Sequence, residues 1–455
     1  MHAQQGTIDM RMTLMVLLTC ICLSTGMAQK VSADDMAARV KMEFLHAWRG
    51  YKTYAWGHDG FRPVSKTAYD WYGTPFYLTA VEALDTMTLM GLTEEADSTR
   101  EFIATHLSFD RDVYVNVFEF TIRIMGSLLT NYQLSRDKRL LDLADDLGRR
   151  MLPAFITGTG LPYQEVNLKT GAVRGELSNP GAAGTLLVEF GSLTAMTGKA
   201  AYYNSAKIAL LSIYRARSPI DLVGEGINVM TGEWTKTDSH LGPGIDSYYE
   251  YLVKCGYLFD DSDCKQMWLT HYAAINRYLL DSGATGTWYG HADMNTGKRT
   301  KTWFGALEAF FPACLVLYGD VDRADRLMQS CLTMWCKYGI EPEEYNYVTG
   351  KAEKPRYYLN PEIMESAYYL FEKTNDPVYQ NLGKVFLDSL VAYCRTDEGY
   401  TELDNVVTKA KRDRMEPYFM AETMKYLYLL FAPAEVLPFD KVIFNTEAHP
   451  IRKAW

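Results

Sequence analysis

Carboxylates at the starts of apolar helical stretches are the residues in this chain best suited to chemistry. Glu119 lies in Val117-Phe118-Glu119-Phe120-Thr121-Ile122-Arg123, four residues before Arg123, so the two share a helix face. A surface ion pair is the bland reading. The apolar flanks favour a buried or cleft-facing pair, and charge held in a cleft needs a reason. Asp246 follows Gly242-Pro243-Gly244-Ile245 and opens Ser247-Tyr248-Tyr249-Glu250-Tyr251; taken alone it reads as a helix N-cap. Glu362 follows Asn360-Pro361, with Glu365 three residues on, and first-turn acids also suit the helix dipole. Glu416 and Glu422 flank Pro417-Tyr418-Phe419-Met420-Ala421, and Glu422 precedes a largely apolar aromatic helix, 424–431. Thr446 and Glu447 lie in Asn445-Thr446-Glu447-Ala448-His449-Pro450, where a polar cluster is ordinarily tail. The pattern outweighs its members. Four separate hairpins each carry a carboxylate at an apolar helix start, and glycoside hydrolysis needs an acid and a base carboxylate brought together.

The elements that must position them form a repeat. Residues 122–152 hold two apolar helical stretches broken at Ser135-Arg136-Asp137, 188–213 break at Thr197-Gly198-Lys199, and 365–390 break at Thr374-Asn375-Asp376-Pro377. Weaker copies are 81–107, 248–279 and 306–335, with breaks around Gly91-Leu92-Thr93, Asp260-Asp261-Ser262-Asp263 and Gly319-Asp320; a last copy starts at 421 and breaks at Pro433. Seven such hairpins predict a helical repeat protein. The connections 153–180, 214–246, 281–305 and 337–362 are long and rich in Gly, Tyr, Trp and charge. A solenoid keeps such links short; long decorated loops suit a toroid with its site at one mouth. The expected fold is therefore all-α, an (α/α)7 barrel, as one domain over residues 29–455.

Composition narrows the function. With 48% hydrophobic and 22% charged residues the chain is ordinary globular material. A net charge of -10 offers no basic face for nucleic acid. Arg11 followed by the apolar run 13–23 and the small residues of Ser24-Thr25-Gly26-Met27-Ala28 reads as a signal peptide over residues 1–28. Cys20 is a weak lipid-anchor candidate, and no later run is long enough for a membrane span. Six cysteines follow the leader, with spacings that match no zinc pattern. The absence of any Asn-x-Ser/Thr sequon tilts the expected location to a bacterial periplasm or exterior.

These motifs, in this order, resemble glycoside hydrolase family 47, the class I α1,2-mannosidases, over residues 38–452. Tyr54-Ala55-Trp56-Gly57-His58-Asp59 and Ala83-Leu84-Asp85-Thr86-Met87 are similar to its opening motifs. The segments at 118–123, 246–252, 361–366, 418–431 and 444–450 are similar to the later ones. The resemblance implies an (α/α)7 barrel, Ca²⁺ dependence and hydrolysis of α1,2-linked mannose with inversion. It implies Glu119 as general acid acting through a water, with Asp246 assisting or itself the acid, and Glu362 as base. It implies Thr446 as the direct Ca²⁺ ligand, with Glu365, Glu422 and Glu447 orienting the metal's waters. Arg123 and Tyr418 then bind the mannose to be released, bordered by Glu365 and Glu422. The implied partner is a mannose-containing glycan, and the expected state a monomer.

Three positions depart from the processing members of that family. Ala306 stands where they carry a sugar-contacting His, within a segment 303–312 that is similar to the degradation-enhancing branch. Asn360 replaces the usual Arg before Pro361. Gly244 stands where one subgroup has an Arg. All three bear on the outer sugar subsites. Two other classes are weighed beside the hydrolase. One is a mannose-binding, lectin-like protein with little turnover, against which the retention of Glu119, Asp246, Glu362 and Thr446 counts. The other is an epimerase or lyase on the same toroid, which would need no calcium.

Overall fold

Aspartates fix where several outer helices begin. In the computed structural model, which describes residues 32–453, the side chains of Asp137, Asp261, Asp320 and Asp376 each accept a first-turn backbone N–H of the helix that follows. This satisfies a donor that the helix itself cannot. Arg136, Gly198, Gly319 and Asn375 adopt the left-handed conformation and end the preceding helices. These stops and starts fall at the breaks read from the sequence. The leader expected at residues 1–28, with Cys20, lies outside the described residues.

Fourteen helices make the frame: α1 (Ala33–Tyr54), α2 (Leu78–Leu89), α3 (Thr93–His106), α4 (117–135), α5 (Lys138–Met151), α6 (Leu187–Thr197), α7 (Ala200–Ala216), α8 (Asp246–Leu258), α9 (Ser262–Ala274), α10 (Phe311–Tyr318), α11 (Val321–Tyr338), α12 (Glu362–Thr374), α13 (Pro377–Tyr393) and α14 (Met424–Phe431). The even-numbered helices pack side by side in chain order, and the turn Phe419–Thr423 before α14 closes the ring onto α2. Each odd-numbered helix packs chiefly on one inner helix from outside, and several also touch the next. Sequence explains the division. Outer helix α5 buries one stripe, Leu140, Leu141, Ala144, Leu147 and Met151, and leaves its charges in solvent. Inner helix α2 is buried on every side, including Glu82 and Asp85. No helix among the described residues is long and apolar enough to cross a membrane.

Seven pairs are present, but the seventh is built differently from the expectation. The sequence reading starts the last hairpin at 421 and continues it beyond Pro433. Instead, α14 ends at Phe431, and Pro433 and Pro438, which lack the N–H that would continue a helix, each precede only a single 3-10 turn, Ala434–Val436 and Phe439–Lys441. The partner of α14 is α1, from the opposite end of the described chain.

The chain after Pro438 fills the barrel. Strands Val442–Phe444 and Pro450–Arg452 form an antiparallel hairpin that climbs inside the ring along α4. The Arg452 N–H donates to Gln133 Oε1 (2.8 Å), the Thr130 hydroxyl to Pro450 O (3.4 Å), and Asn445 Nδ2 to Ile122 O (2.7 Å). Gly126 makes the approach possible: a Cβ there would meet Asn445 Nδ2 at 2.5 Å and His449 Cδ2 at 3.1 Å.

The long connections also carry structure. Five contain a small β-hairpin turned on one motif: Asn167-Leu168-Lys169-Thr170-Gly171, Asn228 to Gly232, Asp293 to Gly297, Asn346 to Gly350, and Asn405 to Lys409. In each the first residue accepts two backbone N–H groups of its own turn. The fifth residue is left-handed, a conformation that suits the four glycines and that Lys409 adopts at φ 61°.

Candidate active site

Glu119, Arg123, Asp246, Glu362, Glu365, Tyr418, Glu422, Thr446 and Glu447 all line one cavity of about 450 Å³. They reach it from the N-terminal ends of α4, α8 and α12, from the turn before α14, and from the tip of the C-terminal hairpin. Thus the sequence-predicted site residues are brought together. Glu416 is the exception: it stands outside the cavity, held by the Tyr69 hydroxyl at 2.8 Å and by Arg414.

Local backbone explains how the side chains turn inward. Arg123 sits in a π-turn, Phe120–Met125, and Glu422 in another, Phe419–Thr423. A π-turn adds a residue to one helical turn and re-aims side chains, and such turns occur frequently at functional sites. Asp246 is not the N-cap that its local sequence suggests; Ile245 holds that position without a capping bond. The Asp246 carboxylate instead accepts the N–H of Ser247 at 2.7 Å. Likewise Pro361, which has no capping side chain, precedes Glu362.

Acidic groups crowd the cavity. Glu119, Asp246, Glu250, Glu362, Glu365, Glu422 and Glu447 line it against the single guanidinium of Arg123. Arg123 donates to Glu119 (2.7 Å), Glu447 (2.6 Å) and Glu82 (3.2 Å), and its guanidinium lies 5.1 Å from the Trp71 ring and 5.6 Å from that of Tyr418. Behind the opposite wall, Lys254 pairs with Glu250, lies 3.6 Å from Glu365 and donates to Asn445 O at 3.2 Å. Burial, with neighbouring Glu250 and Glu308, pushes Asp246 up to about 7. Burial likewise raises Glu365 to about 7, against the pull of Lys254, and Glu447 to about 7, against the pull of Arg123. Glu362 and Glu422 are driven well above the carboxylate range, by burial first and then by acidic neighbours. Glu362 Oε2 is buried with no hydrogen-bond partner. So many oxygens with so little compensating charge fit a hard cation, which takes oxygen ligands and lowers the cost of keeping them ionised.

Sequence reasoning missed the layer beneath. Glu250 and Lys254 are four apart in an apolar helix, the same signal that singles out Glu119 and Arg123. Asp85 accepts from Lys425 at 3.0 Å and sits 2.9 Å from His449 Nδ1. Lys425 also donates to Ala448 O at 2.7 Å. This buried trio braces the hairpin tip, where Ala448 is left-handed at φ 56°. No local pattern announces it, because its members lie on α2, α14 and the hairpin.

A ring of helix pairs that gathers several carboxylates into one cavity holds the acid and base that glycoside hydrolysis requires. The chain belongs to glycosyl hydrolase family 47, whose family model matches residues 43–453, and it is a glycoside hydrolase of the mannose-trimming kind. It is 37% identical over 451 residues to ER degradation-enhancing alpha-mannosidase-like protein 2 of Mus musculus, covering 91% of this chain and 77% of that one. It is 35% identical over 440 residues to the endoplasmic reticulum mannosyl-oligosaccharide 1,2-alpha-mannosidase of the same organism, covering 90% and 66%. Its fold matches the solved alpha-1,2-mannosidase from Trichoderma reesei with a TM-score of 0.84 at 26% identity, covering 92% of this chain and 98% of that one.

Proposed function

We propose that this chain is an inverting, Ca²⁺-dependent exo-α1,2-mannosidase acting on terminal mannose of high-mannose N-glycans or related mannosides, exported to the periplasm or exterior. The observation that carries the reading is the convergence of all nine residues on one acid-crowded cavity. Glu362 is the base: its unpartnered Oε2 has an acceptor free for a water. Glu119 and Asp246 are the proton-donating pair. In a ring of seven, α4 and α12 are as far apart as two inner helices can be. Glu119 and Glu362 therefore come from opposite walls, which suits inversion, where acid and base stand roughly 6.5–9.5 Å apart to admit a water.

Arg123 keeps Glu119 and Glu447 oriented, and its position beside Tyr418 suits a sugar face and its hydroxyls. Tyr418 is fixed by donating to Tyr358 O at 2.7 Å. Thr446, Glu365, Glu422 and Glu447 are the oxygens that would hold Ca²⁺, directly or through water. When bound, the ion supplies positive charge to ionise these acids and a template for vicinal sugar hydroxyls. Gly244, Asn360, Leu307 and Phe310 line the cavity, the last two close in sequence to the buried Ala306. An outer subsite walled in this way differs from one carrying His and Arg. Proton NMR of the first product tests inversion: β-mannose appearing before α-mannose is expected, and α-mannose first would contradict the mechanism.

A further inference from the structure

Among the described residues, one group outside the cavity has metal-ligand composition and spacing: Asp238, His240 and His291, whose candidate ligand atoms lie within 4.8 Å of one another. Asp238 and His291 are brought together by antiparallel pairing of Asp238–Ser239 with His291–Asp293, and His240 follows directly. The two imidazoles stack with centroids 4.3 Å apart at 26°. Both rings are buried. His291 Nδ1 stands 2.8 Å from Asp238 Oδ2.

We propose that Asp238, His240 and His291 form a second cation site, of the zinc class, that is coupled to Asp246. Two imidazoles and one carboxylate, with water, make the nitrogen-and-oxygen set that Zn²⁺ takes and that Ca²⁺, which wants six or more oxygens, does not. The cation now beside this carboxylate is Lys301, 3.1 Å from Asp238 Oδ2, 37% exposed and 4.6 Å from the Trp303 ring, while the Thr300 hydroxyl donates to Oδ1 at 2.6 Å; a metal would displace the Lys301 ammonium toward solvent. The coupling follows from one hydrogen bond. His240 Nδ1 accepts the N–H of Gly242 at 3.0 Å, and only Pro243, Gly244 and Ile245 separate Gly242 from Asp246. A metal on Nδ1 uses the lone pair that accepts this bond. A metal on Nε2 requires the proton on Nδ1, which then cannot accept either. Either mode releases Gly242 and loosens the lead into Asp246, so zinc is an inhibitory input.

The test is zinc titration of the full chain with Ca²⁺ held saturating, read by equilibrium dialysis with metal analysis and by mannose release. One equivalent of zinc is expected, with affinity weakened roughly ten-fold or more in His240→Ala and His291→Ala. Lys301→Met removes the competing cation and is expected to bind zinc more tightly, which tests the site even if a histidine variant fails to fold. Mannose release is expected to fall as that equivalent binds. No uptake, or uptake unchanged in all three variants, overturns the site. Uptake with undiminished turnover overturns the coupling. The effect on turnover rests on the hydrolase reading, whose own failure shows separately as no release in zinc-free protein.

Discussion

At the scale of single residues, function in this site is set by what neutralises what. Arg123 serves three carboxylates at once, and one of them, Glu82, is wholly buried. Replacing Arg123 with Met leaves those charges unpaired and is expected to destabilise the fold by about 3–5 kcal/mol, read by denaturant unfolding. Asp246, raised to about 7, is protonated below that pH and can donate. The sign is fixed: as pH climbs through about 7 the donor form is lost, so kcat/KM falls on the alkaline side. Asp246→Asn is expected to cost roughly 10²–10⁴-fold and to abolish that limb; a limb that survives in the variant would show that Asp246 is not the group whose titration sets it. Most of these residues were legible beforehand, because an acid in an apolar helix start stands out. The role of Glu82, the buried partner of Arg123, was not, since on α2 it sits in a stretch whose apolar neighbours read simply as core.

At the scale of elements, the hairpin inside the barrel decides whether the site exists. Gly126 lies mid-helix, where Ala would ordinarily be favoured by about 1 kcal/mol. Here the added Cβ meets Asn445 Nδ2, which is committed to Ile122 O and Glu189 at 2.7 Å each and cannot retreat. Gly126→Ala is therefore expected to lower the melting temperature and weaken Ca²⁺ binding together; a rise in melting temperature with unchanged Ca²⁺ affinity would show the hairpin to be tolerant. The helices themselves were readable from 3.6-residue periodicity and from their Gly, Asn and Asp stops. The π-turns that aim Arg123 and Glu422 were not, because they leave the same apolar pattern as an ordinary helix. The recurrent Asn/Asp-x-x-Thr turn stands in plain sight in the sequence and marks the hairpins within the connections. The placement of α1 against α14 escaped because ring closure joins residues from opposite ends of the chain, beyond any local signal.

At the scale of the whole molecule, a barrel that gathers so many acids into its axis is expected to have a stability that depends on cation and pH. Glu365 and Glu447 sit at about 7 in the folded state, above an unfolded carboxylate at about 4.3. Between those values the folded chain holds more protons than the unfolded one, so stability falls as pH rises through this window. The chelated protein is expected to lose thermal stability from about pH 5 to about pH 8, and Ca²⁺ to flatten that decline by binding the ionised form. A chelated protein whose melting temperature is level over this range would mean that the acids are compensated without a cation. The measurement that bears most directly on the central claim is free-mannose release from a high-mannose glycan, with and without a calcium chelator, by the wild-type chain and by Glu362→Gln. Release that stops with chelation, returns with Ca²⁺ and is lost in the variant is the predicted result. Retained glycan binding with no release in the presence of Ca²⁺ would contradict it and make the cavity a lectin site.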